Sequence, residues 1–168
     1  DNTDRLVEKL FDEAQAVYKR KMENMVKSVL PVLQNIRDTR GESVKMVAIP
    51  FGDGRKGVNI LVNLDDTLQN QGKDIVGQFE KSITLALLDE AWKHHLRAMD
   101  DLKTEVQLAS YEQKDPLVIY KKEAFNLFSV MMGNVNREIA SFLFKGQLPE
   151  VSPQQLRNAE QQKEKSFA

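Results

Sequence analysis

The 168 residues contain no cysteine. That excludes a disulfide framework and a thiolate metal site, and it removes redox chemistry as a guide to compartment. No apolar run approaches the roughly eighteen residues that a membrane-spanning helix needs, so no such helix is expected. No signal-peptide pattern stands at the start. Because the chain opens on Asp1 rather than Met, it is expected to be cut from something longer. An excess of one charge is missing too: 24 Lys and Arg stand against 25 Asp and Glu. No global field therefore draws the chain to nucleic acid or to an acidic membrane, and partners must be recognised locally. Internal repeats are absent, and the length allows one ordinary core or two small units.

Glycine and proline are sparse, with 8 and 5 copies, so the places where they fall are informative. None occurs between Phe79 and Tyr111. Along that stretch Val76, Phe79, Ile83, Leu87 or Leu88, Trp92, His95 or Leu96, Met99, Leu102, Val106 and Ala109 recur every three or four residues, the spacing of a packed helix. After the polar break from Ser110 to Lys114, Leu117, Tyr120, Ala124, Leu127 or Phe128, Met131, Val135, Ile139 and Phe142 repeat the pattern. Two such stripes separated by a short turn predict a long antiparallel helical hairpin, its arms roughly 50 and 40 Å long. Asp115 and Pro116 sharpen the turn. The aspartate accepts from a free amide of the second arm's first turn, and proline suits the first helical position because it has no amide hydrogen to leave unpaired.

Upstream, Asn2 or Thr3 is expected to cap a helix carrying Leu6, Leu10, Ala14, Val17 or Tyr18, Met22, Met25 and Leu30 on one stripe, with Pro31 stopping or kinking it. Val32 to Arg37 reads as a short continuation and residues 38–43 as a loop. Between Ser43 and Asn63 the residues turn β-branched on either side of Gly52-Asp53-Gly54-Arg55-Lys56-Gly57, a β-hairpin signal. A lone two-stranded ribbon is marginal in water, so it is expected to lie against the helices as a small wing. A short helix over Leu64 to Asn70 leads into the long arm. Gly146 is expected to stop the second arm, and the residues after it turn polar and Pro-containing, a tail expected to be mobile with one helical stretch from Gln154 to Lys165. The fold class is thus mainly α: an N-terminal helix and a long helical hairpin with a minor β-hairpin. The expected division is 1–72 with its β-hairpin at about 44–63, 73–146 as the hairpin, and 147–168 as the tail.

Chemistry-bearing patterns are few. Gly52-x-Gly54 and Gly57 resemble a phosphate cradle only faintly, because Val58-Asn59 follows where a P-loop needs Lys and Ser or Thr, and a strand follows where it needs a helix. His94 and His95 point about 100° apart on a helix and cannot chelate one ion together; His95 reads as structural near the seam and His94 as exposed. Lys19, Arg20, Lys21 and Lys27 lie among Asp12, Glu13 and Glu23, a solvated face rather than an anion site. Trp92 falls on the seam and reads as core. No catalytic constellation, cofactor site or metal site is expected. Tyr111 has two readings: folded back onto the arms it is packing, whereas held out at the polar hairpin tip it offers a flat apolar face and a hydroxyl to a passing partner.

The ordered series Leu88-Asp89-x-x-Trp92-Lys93-x-His95-Leu96-x-x-Met99-Asp100-x-Leu102, followed by Tyr111-x-Gln113-Lys114-Asp115-Pro116-x-x-x-Tyr120-Lys121-x-Glu123-x-Phe125-x-x-Phe128, resembles the helical scaffold and two-helix finger of the SecA family. These are the motor ATPases of bacterial preprotein translocation, and the match spans about seventy residues. Ser110, Ile119 and His94 depart from the family's usual Gly, acid and Glu. By position, the region before the arm resembles the family's helical wing.

The resemblance implies that Tyr111, Gln113 and Lys114 contact the moving polypeptide and that Asp115 and Pro116 shape the tip. It also implies that Trp92, His95 and Met99 face other domains of the same motor. Implied partners are an unfolded preprotein and a SecY-type membrane channel, with no nucleic acid, at the cytoplasmic face of the bacterial membrane. ATP and magnesium would belong to nucleotide-binding domains outside these residues. The alternative is a free-standing helical adaptor or chaperone that binds clients through the hairpin.

Overall fold

The computed structural model describes residues 2–109 and 115–149. Its elements run α1 (Asn2–Arg40), a 3-10 turn (Gly41–Ser43), β1 (Met46–Gly52), β2 (Gly57–Asn63), α2 (Leu64–Gln69), α3 (Lys73–Ala109) and α4 (Pro116–Lys145). The fold is mainly α with a small antiparallel ribbon, as the periodicities predict.

Three local readings give way. Asn2 and Thr3 lie inside α1 rather than capping it. Pro31 neither stops nor splits that helix, which takes in the separate short helix expected from Val32 and part of the expected loop. Proline removes one amide and crowds the carbonyl four residues back, but Pro31 and Lys27 are both on the exposed side, so the freed carbonyl can meet water. On the other side Met25, Val29 and Leu33 are buried, and their packing holds the helix together.

The ribbon alternates as a one-sided sheet must. Ile49 pairs with Ile60 and Phe51 with Val58, and Ile49, Phe51, Ile60 and Val62 are buried on the face toward the helices. Asn63 then caps α2, its side-chain oxygen accepting from the amides of Asp65 and Asp66 at 3.0 and 3.2 Å. Arg37 reaches Asp65 at 3.2 Å and ties the end of α1 to α2.

A single core joins these parts to the foot of the hairpin. Met22, Val29 and Leu33 of α1, the inner ribbon face, Leu64 of α2, Ile75, Phe79 and Ile83 of α3, and Phe142 of α4 belong to one cluster. Phe79 sits at its middle, with ring centroids 4.8 Å from Phe51 and 6.1 Å from Phe142. The residues after α4 are held as well. Gly52 and Gln147 exchange backbone hydrogen bonds at 2.8 and 2.9 Å, and Leu148 packs on the core. The polar segment is therefore anchored at its start, because the ribbon's first strand has an open edge to pair with. The helix expected from Gln154 to Lys165 lies outside the described residues.

Candidate functional site: a two-helix arm

By helical rise α3 and α4 extend about 55 and 45 Å, and they contact each other more than any other two helices do. The pairs Phe79–Phe142 and His95–Phe128 run in opposite directions along the two helices, so the arms are antiparallel. Ile83, Leu87, Leu102 and Val106 are buried on α3, and Met131, Val135 and Phe142 on α4. At the foot of α4, Gly146 donates its amide to the Phe142 carbonyl. A Cβ at residue 146 would lie 2.8 Å from that oxygen, so the close approach requires glycine.

At the far end Asp115 accepts from the Leu117 amide at 2.9 Å and Pro116 occupies the first helical turn, the cap read from the sequence. Tyr111, Gln113 and Lys114 lie outside the described residues, as does the side chain of Ala109.

Two seam assignments change. Trp92 is 44% exposed and Leu117 58% exposed. The buried positions of α3 advance in fours from Phe79 through Ile83 to Leu87, and each four-residue step turns the facing direction by about 40°. Half-buried Ala91 and His95 continue that line, while Trp92 lies about 100° from Ala91 and so turns out of the seam. His95 is half-buried and bridges the arms, with its ring 5.4 Å from Trp92 and 6.0 Å, edge-on, from Phe128. Met99 is half-buried and His94 exposed. Leu96 and Phe128 are 49% and 43% exposed, so one side of the arm carries an uncovered aromatic and aliphatic band.

The other side of α3 is clamped. Glu90 lies about 200° around the helix from Trp92, and Lys56 of the ribbon turn reaches both Glu90 at 2.9 Å and Glu138 of α4 at 3.2 Å. Those bonds hold the Lys56 ammonium above its ordinary pKa, and Glu90 is held below its own by the same lysine. Asp53 fixes the turn by accepting from the amides of Arg55 and Lys56 at 2.9 and 2.8 Å, so those amides already have an anion. A second tie comes from α1: Lys21 donates to the carbonyls of Leu143 and Phe144, each at 2.8 Å, where α4 ends. Burial lowers the pKa of that lysine.

Sequence reasoning missed Lys56, Glu90, Glu138 and Lys21 as ties. Partners 34 to 123 positions apart leave no local signal. Among the described residues no three His, Asp or Glu side chains gather as a metal site, and no helix is long and apolar enough to cross a membrane.

Residues 2–147 match the family model described as the SecA wing and scaffold domain. A protein translocase subunit SecA from Christiangramia forsetii is 43% identical over 164 residues, covering 98% of this chain and 15% of that protein. Its counterpart from Parabacteroides distasonis is 47% identical over 146 residues, covering 87% of this chain and 13% of that protein. This chain thus spans about one seventh of the length of the curated relatives it matches. No solved structure matches it significantly. On the extent of the family match and the identity to these subunits, the chain belongs to the SecA family, as a wing and scaffold region.

Proposed function

We propose that the chain is the wing and scaffold portion of an ATP-driven preprotein translocation motor, in which the α3–α4 hairpin is a lever between the motor's other domains and an unfolded polypeptide at a SecY-type channel. The observation that carries this reading is mechanical. The foot of the hairpin is locked into a core with α1 and the ribbon, while its far part extends as a paired rod. Two helices in register along their length resist bending better than one, so a small rotation at the foot reaches the tip as displacement.

In this reading residues 1–72 are the wing, 73–146 the scaffold and 147–168 a tail. Tyr111, Gln113 and Lys114 grip the preprotein through apolar and hydrogen-bonding contacts that ignore sequence. Trp92 on the open band, with half-buried His95 and Met99 beside it, packs against other domains of the motor. ATP and magnesium act in those other domains, and this portion turns over no nucleotide by itself. The motor works at the cytoplasmic face of the bacterial membrane and engages no nucleic acid. The size of the translocase subunits that share this region favours the motor over a free-standing adaptor.

Replacing Tyr111 by Ala in the complete motor is expected to slow preprotein transport about ten-fold or more, roughly the loss of one good aromatic contact, with nucleotide affinity unchanged. Transport at the parental rate would remove the tip from the mechanism.

A further inference from the structure

One groove among the described residues has no part in the lever. It encloses about 660 Å³ between α1 and the start of α3, within the range of ligand-sized clefts. Tyr18, Met22, Val26 and Leu30 form its α1 wall in steps of four, a ridge about 18 Å long, and Val76 forms part of the opposite wall. The turn between α2 and α3 closes one end. Gly72 there has φ +75°, and a Cβ on it would lie 2.7 Å from Val26 Cγ1, so only glycine lets the turn press this closely on α1.

The rim is basic on both sides. Lys19 and Lys27 stand on the α1 edge with Glu23 between them and Lys73 on the α3 edge, while Glu80 of α3 is already engaged, accepting from the Tyr18 hydroxyl at 2.9 Å. None of the three lysines is ion-paired among the described residues. We propose that this groove is a docking site for an amphipathic helix whose apolar stripe is flanked by acidic residues. A ridge of side chains at i, i+4, i+8 is the surface into which another helix interdigitates. Its length matches about three helical turns, and lysines on both edges match carboxylates on both flanks of the incoming stripe. A helix flanked by basic residues meets like charge on either side.

The test uses two synthetic helical peptides with the same leucine stripe, one flanked by Glu and one by Lys, titrated onto the 168-residue chain by fluorescence anisotropy. The Glu-flanked peptide is expected to bind about ten-fold more tightly or better, the sum of three modest charge contacts. Val26→Glu is expected to abolish that binding. The surface variant Lys19→Glu/Lys27→Glu/Lys73→Glu leaves the core untouched and is expected to reverse the preference, which keeps the test decisive where Val26→Glu fails to fold. Equal affinity for both peptides, no binding at millimolar concentration, or a preference unchanged in the triple variant overturns the proposal. Displacement of the acidic peptide by an equal concentration of dodecanoate also overturns it, assigning the groove to an anionic amphiphile.

Discussion

The foot and the far part of the hairpin are built from the same two helices, yet they are held in different ways. At the foot, Phe79 and Phe142 are buried at 0% and 2% exposure with ribbon, α1 and α2 residues in the same cluster. Farther out, Leu102, Val106 and Met131 are buried at 7–8% exposure but stand outside that cluster. There the arms bury their stripes only in each other, and the flanking surface remains apolar. The difference teaches that burial of a side chain and the support around it are separate quantities. The foot is stabilised by several elements, whereas the far arm depends on one seam and on helix hydrogen bonds that packing sustains.

The sharpest way to break that comparison is at its centre. Phe79→Ala is expected to destabilise the whole chain by about 3–5 kcal/mol in urea unfolding, because a ring packed between Phe51 of β1 and Phe142 of α4 leaves a cavity that neither can fill alone. A cost near 1 kcal/mol would mean that the foot is no better supported than the rod.

Leu102→Ala is expected to cost about 2–3 kcal/mol, and the location of the loss is more telling than its size. Hydrogen exchange is expected to accelerate in the distal parts of α3 and α4, while amides of β1, β2 and the first turns of α3 keep their protection. Uniform acceleration throughout the chain would show that the foot and arm unfold as one unit.

The smallest effect is expected from the clamp. Lys56→Met removes two exposed ion pairs, worth at most about 1 kcal/mol and weakened further by salt. The lysine is held above its ordinary value and Glu90 below its own, so the contribution is fully present between the unfolded values of about 4.5 and 10.5. It is lost as pH falls through the depressed value of Glu90 and as pH rises through the elevated value of Lys56. The stability difference between the parent and Lys56→Met should therefore be flat across neutral pH and shrink at both extremes. A difference that peaks near neutrality and changes steeply there would exclude this pair as its source.

Much of the architecture was legible because it rests on local rules. The stripes of α3 and α4, the Asp115–Pro116 cap and the stop at Gly146 each follow from a few adjacent residues. The errors have a common origin. Periodicity assigns a face but not its drift, and over several turns that drift carried Trp92 out of the seam. A stop at Pro31 follows from its local cost alone, although burial of Val29 and Leu33 holds the helix through it.

The sequence by itself determined the extent of the two arms, the one-sided ribbon and the place where the arms reverse, because hydrogen bonding within a helix or hairpin and the alternation of apolar side chains are short-range. Only the tertiary structure decided that α1, the ribbon and the foot of the arm share one core, that Lys56 bridges both arms, and that an apolar groove with a lysine rim lies beside α1. Those arrangements join residues tens of positions apart, and their directions are set by how whole helices cross rather than by any residue's neighbours in the chain.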